Sequence, residues 1–223
     1  MSTTGATLIP IFATPFASLT LDVPEALNIE LTTLFQSRAN SAHRAIGAPV
    51  NPLCFSSRDD VLDWPDAPVQ TLKRHILAAI ATVVGAITQH TEEQFGELSM
   101  HARGWFSWVM PNGGISARSY PQASWCAIYC VAAPKADASH VDNGMLRLYE
   151  TRLSSAYFDA SNWYLKPPFA SGHHLWQPTA GAMAVFPAAS LHEIARLRSD
   201  DSLMLVTVCA RFADGSQLSA SRS

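Results

Sequence analysis

ELSMHARGWFSWVM at residues 97–110 and SWCAIYCVAA at residues 124–133 are short runs rich in aromatic and apolar side chains, separated by the turn sequence PNGG at 111–114. Similar runs follow at Met145–Thr151, His174–Gln177, Ala182–Phe186 and Leu203–Phe212, with a DNG turn at 142–144. Short runs of this kind, several of them alternating and broken by Pro, Gly, Asn and Asp, predict an antiparallel sandwich or barrel. The fold class expected is mainly β.

Upstream of Gly96 the period changes. Val69, Leu72, Ile76, Ile80, Val83, Val84 and Ile87 fall on one face of a helix expected over Ala67–Thr88, with Pro68 in its opening turn. A first helix is expected over Pro24–Ser37, where Leu27, Leu31, Leu34 and Phe35 recur at helical spacing. These apolar faces need a sheet to pack on. A single domain over 1–223 is therefore expected, helical over about 22–90 and β over about 97–212. Residues 152–172 carry aromatics without periodicity, as loops bordering a site often do.

Fifteen basic and 18 acidic residues give a net charge of −3 with no basic stripe, which argues against nucleic acid as a partner. The N-terminal MSTTGATLIPIFATPF has no basic leader and two prolines in its apolar part, so neither a signal peptide nor a membrane anchor is read there. A cytoplasmic protein without membrane partners is the expectation. Cys54, Cys126, Cys130 and Cys209 form no CxxC pair; at strand rise Cys126 and Cys130 stand roughly 13 Å apart, too far for a disulfide. Buried structural cysteines are expected. Exposed sheet edges could pair into a homodimer, which the sequence leaves open.

The segments IPIFATPF (9–16), FSSRDDVLDWPDAPVQTLKRHI (55–76), GWFSWVMPNGG (104–114), ASWCAIYCVAAP (123–134), NGMLRLYE (143–150) and AGAMAVFPAASLHEI (180–194) resemble, in order, an iron(II)/2-oxoglutarate-dependent oxygenase family of bacteria and phage. The likeness spans roughly residues 8–212. It implies a double-stranded β-helix, the jelly roll of cupin-like barrels, with the helices packed on one sheet. It also implies Fe(II) and 2-oxoglutarate as cofactors, a small-molecule substrate, and His192 as the late metal ligand.

Two positions depart from that pattern. Where the family has an early His-x-His-Pro motif, this chain reads Arg118-Ser119-Tyr120-Pro121. A guanidinium cannot deprotonate to bind iron, and a lone phenol does not replace an imidazole. About ten residues beyond the late histidine, where the family has an arginine for the far carboxylate of 2-oxoglutarate, Asp201 and Ser202 stand.

Replacements can be sought. His140-Val141-Asp142 with His192 has a His-x-Asp then distant His form, and would supply metal ligands if the chain brought them together; as plain residues they initiate the DNG turn. His90-Thr91-Glu92 has the same form but lies at a helix end, and eight histidines among 18 acids make accidental matches expected. Of His173 and His174, only one can face inward from a strand.

Arg118 and Tyr120, two residues apart, share one face if extended, and could bind a carboxylate or polarise a carbonyl of an anionic substrate. Read without chemistry, they are a surface arginine beside a core tyrosine. Arg211, on the last strand, could take over carboxylate binding for the cofactor. Three functions stay open: an oxygenase with relocated ligands that hydroxylates or desaturates a small molecule, a metal-independent enzyme using Arg118, Tyr120 and His192, or a binding protein on a degenerate oxygenase fold.

Overall fold

A computed structural model describes residues 13–24, 26–47, 51–135, 142–150, 165–166, 168–169 and 172–214. Strand β1 (Ala17–Thr20) is followed by α1 (Leu27–Arg38), β2 (Cys54–Ser56), a single 3₁₀ turn, α2 (Ala67–Gly85) and the short α3 (Glu92–Gly96). Eight further strands follow: β3 (Ser99–Val109), β4 (Ile115–Arg118), β5 (Trp125–Ala132), β6 (Leu146–Tyr149), β7 (His173–Trp176), β8 (Ala182–Pro187), β9 (His192–Ile194) and β10 (Leu203–Ala213).

The strands divide into a six-stranded sheet ordered β1-β8-β5-β10-β3-β2 and a four-stranded sheet ordered β4-β9-β6-β7. All named pairings are antiparallel. From β3 onward the chain alternates between sheets, doubling back only at the β6–β7 pair. That winding is a double-stranded β-helix, as expected.

Two cores result. Between the sheets lie Val109, Cys126, Ile128, Leu146, Phe186 and Leu205. On the outer face of the larger sheet, Phe35 and Ile76 from the helices meet Phe106, Tyr129 and Val206, with the Phe35 and Phe106 rings stacked 4.6 Å apart. The larger sheet is thus covered on both faces, which is why β5 and β10 read as continuous apolar runs.

The sequence places α1, α2 and six strands to within a few residues, and misses the short α3. Helix α2 stops at Gly85, so Ile87 is exposed rather than on its buried face. The strands β2 and β9 carry too few residues to show alternation, and β4 is exposed at three of its four residues. Thr91, read above in an accidental ligand match, caps α3 in a reciprocal box with Gln94. No helix among the described residues is long and apolar enough to cross a membrane.

The loop between β3 and β4 fixes how the edge of the smaller sheet sits against the larger one. Met110 N–H donates to the Leu53 carbonyl, and Leu197 N–H to that of Gly113 at 2.7 Å. A Cβ on Gly113 would collide with the backbone carbonyl of Leu53, which cannot rotate away. Gly113→Ala is therefore expected to cost about 2–4 kcal/mol and lower Tm by about 5–12 °C. An unchanged thermal melt would show that this junction yields freely.

Candidate active site at the barrel mouth

Strand β4 ends at Arg118, which lies directly across from His192 at the start of β9. The Tyr120 N–H donates to the Ala188 carbonyl at 2.7 Å, anchoring the chain just past β4 against the turn before β9. The jelly-roll crossing thus brings residues 118–120 and His192 to one end of the barrel.

His192 is 3 % exposed. Its imidazole packs 5.0 Å from the Phe186 ring and 5.4 Å from that of Tyr120. Its Nδ1 is 2.8 Å from the Ser190 carbonyl oxygen. A carbonyl only accepts, so Nδ1 carries the proton, and in the neutral ring the lone pair lies on Nε2. Burial, aided by the Arg118 charge, holds the pKa below its ordinary value, against the Ser190 contact that raises it. The imidazole is neutral at neutral pH.

Tyr120 packs edge-on against Trp105, ring centroids 5.1 Å apart. Burial pushes its phenol well above the usual tyrosine range, with Arg118 opposing the rise. It stays protonated and can donate a hydrogen bond. Arg118 itself is exposed, its Nε donating to the Ser116 carbonyl at 3.0 Å.

Asp142 does not join this group. Its carboxylate accepts from Arg147 Nη2 at 3.0 Å, and Arg147 Nη1 donates to Glu193 at 2.6 Å. Arg147 alternates with the inward Leu146 and Leu148, and Glu193 with the inward Ile194, so this ion network lies on the outer face of the smaller sheet. His192 points to the other face. As a shared metal ligand with His192, Asp142 is therefore corrected to a surface ion-pair residue; His140 lies outside the described residues.

His174 and His192 both pair with Leu148, which separates them by two strand spacings, roughly 9–10 Å. His174 instead packs on Phe16, 4.6 Å away. Ser202 accepts from the Trp108 indole at 2.9 Å, a structural contact at the place where the resemblance implies an arginine. Arg211 is exposed, pairs with His101 across β10 and β3, and borders a groove of about 480 Å³ shared with Arg103 and Cys209. Cys209 faces Cys126 directly across β10 and β5, both thiols free.

A second feature escaped the sequence. Arg118 and Tyr120 border a cleft of about 590 Å³ that Arg44, Arg58, Asp59 and Arg103 also line. These come from separated segments, and only the RDD of FSSRDD hinted at a charged edge.

No protein-family model and no curated protein matches this chain. Solved structures do. It is similar to a prolyl-4-hydroxylase of Pseudomonas putida at 16 % identity and TM-score 0.56, covering 88 % of this chain and 92 % of that one. The α-ketoglutarate-dependent carbocyclase SnoK of nogalamycin biosynthesis aligns at 11 % identity and TM-score 0.61, covering 91 % and 80 %. The epimerase SnoN, solved with Fe³⁺ and α-ketoglutarate, gives 11 % and 0.57, covering 89 % and 79 %. The fold is that of the 2-oxoglutarate oxygenases.

The donors at this mouth do not fit the iron that such a fold implies. A non-haem iron site needs two imidazoles and a carboxylate on one face. Here the described residues offer one imidazole, a guanidinium and a protonated phenol, and nowhere among them do three His, Cys, Asp or Glu side chains gather as a metal site requires.

The state of His192 is directly measurable. Its folded pKa lies below the ordinary 6.5, so between the two values the unfolded chain binds more protons. Stability is then full above about 6.5 and is lost as pH falls toward the folded value. NMR titration of the ring, assigned with His192→Gln, should give a midpoint below 6.5; a midpoint at or above it would mean that a negative partner holds the cation.

Proposed function

We propose that this chain binds a small anionic molecule at the mouth of an oxygenase-type barrel, with Arg118 as its anchor in place of an iron centre. The observation that carries this reading is the position of the guanidinium, directly across the strand pair from His192. Arg118 is exposed, and its planar fork suits a carboxylate or phosphate. The neutral, protonated Tyr120 beside it adds a donor without adding charge.

The Tyr120–His192 ring contact supports a second reading, a metal-independent enzyme. A carboxylate on Arg118 would place the neighbouring carbon of the substrate near Tyr120. The phenol could then donate to a developing oxyanion while the neutral imidazole behind it took up a proton, as an elimination or rearrangement requires. Its burial sets a condition, since substrate must reach His192 through Tyr120. Oxidation by iron and 2-oxoglutarate, the reading favoured by the fold, needs ligands from outside the described residues.

Anaerobic titration with iron(II) and 2-oxoglutarate separates these readings. The expected result is no visible charge-transfer band, together with metal-independent binding of the keto acid that Arg118→Ala weakens by about tenfold, near 1.4 kcal/mol. A band that disappears in His192→Ala would overturn the proposal and restore the iron oxygenase.

A further inference from the structure

The cleft that opens beside Arg118 carries more positive charge than one anchored carboxylate needs. Its walls come from the two open sheet edges: β2 and the segments flanking it on one side, β4 on the other, with Trp105 and Tyr120 between them. Among the described residues four arginines line it, at 44, 58, 103 and 118, against a single acid, Asp59. Asp59 already pairs with Arg103 at 3.4 Å. Arg44, Arg58 and Arg118 therefore face the same space without a carboxylate among the lining residues to answer them.

This clustering runs against the charge of the whole chain, which is −3. Like charges sharing a cleft repel, and the repulsion is relieved when an anion enters. Two of the guanidiniums are also held in place. Arg44 lies 4.8 Å over the Phe55 ring, and Arg118 is tied through Nε to Ser116. Holding them beforehand lowers the ordering cost of binding. The Cys54 thiol in the same wall is pushed up by burial and pulled down by Ser56 and by the Arg118 and Arg44 charges.

The size narrows the ligand. About 590 Å³ is the size of a small-molecule site. Ser56, Ser116 and Asn51 supply neutral hydrogen-bonding groups along the walls, and Trp105 and Tyr120 offer ring surface for a carbon skeleton.

Resting on the reading of Arg118 as an anion anchor, we propose that the cleft takes a small molecule bearing two anionic groups, one held by Arg118 and the other by Arg44 and Arg58. The groups can be carboxylates or phosphates, because an arginine fork matches either.

Calorimetric titration of the intact protein tests this at fixed ionic strength, which controls for screening. Acetate and inorganic phosphate serve as single-group probes, succinate and pyrophosphate as paired ones. We expect a paired probe to bind at least about tenfold more tightly than its single-group counterpart. Arg58→Gln, at an exposed side chain, should reduce that advantage, and Arg44→Gln with Arg58→Gln should abolish it while leaving acetate or phosphate binding in place. Preference for succinate over pyrophosphate identifies carboxylates, and the reverse identifies phosphates. Thermal melts of each variant report folding, and Arg58→Gln alone keeps the test valid if the Arg44 change unseats Phe55. Paired probes that bind no better than single ones, or an advantage untouched by both changes, would overturn the second anionic subsite while leaving Arg118 as anchor. Loss of all differences together with acetate and phosphate binding insensitive to Arg118→Gln would overturn the anchor itself.

Discussion

Strand β10 is paired along its length with β3, is bonded over most of it to β5, and is covered on both faces from Leu203 to Ala210. Successive side chains of a strand point to opposite faces. Met204, Val206, Val208 and Ala210 therefore meet the helices, while Leu203, Leu205 and Cys209 meet the smaller sheet. A shift of one residue would exchange these two sets. The register of β10 accordingly fixes its neighbours, and through β5 and β8 it fixes the turn that leads to His192.

The site depends on that frame and contributes little to it. His192 and Tyr120 are packed by Phe186 and Trp105, whose ring contacts do not require a metal. Arg118 sits at the end of β4, an edge strand with three of its four residues exposed. A guanidinium in the barrel interior would face a desolvation cost of several kcal/mol or more. At the rim it keeps its water. Residues on such an exposed edge strand can change chemical type without disturbing either core.

What the sequence disclosed follows the same division. Helix α2 was legible because five buried residues recur at helical spacing, and β5 and β10 because burial on both faces leaves nearly uninterrupted apolar runs. Strand β9, with three residues, was too short for a period, and β4, exposed at three of its four residues, has no apolar alternation, although both carry the candidate site. The pairing of Asp142 with His192 failed for a different reason. Spacing along a chain carries no information on which face of a sheet a residue occupies, and Arg147, itself paired with Glu193, holds Asp142 on the outer one. The facing thiols of Cys126 and Cys209 were hidden likewise, since only the register of two distant strands aligns them.

The arginine cleft shows why composition can mislead about binding. A chain of net charge −3 with no basic stripe gives no sign of a cationic site. Yet Arg44, Arg58, Arg103 and Arg118 come from four segments that only the folded edges of two sheets bring to one cleft. Net charge governs long-range behaviour such as solubility and non-specific association, whereas a ligand within the cleft meets the local potential. The local potential is positive because, among the described lining residues, the one acid is paired with Arg103, and because Arg44 and Arg118 are fixed by contacts that do not neutralise them. An aromatic ring and a backbone carbonyl orient a guanidinium while leaving its net charge intact, which is the condition for holding an anion.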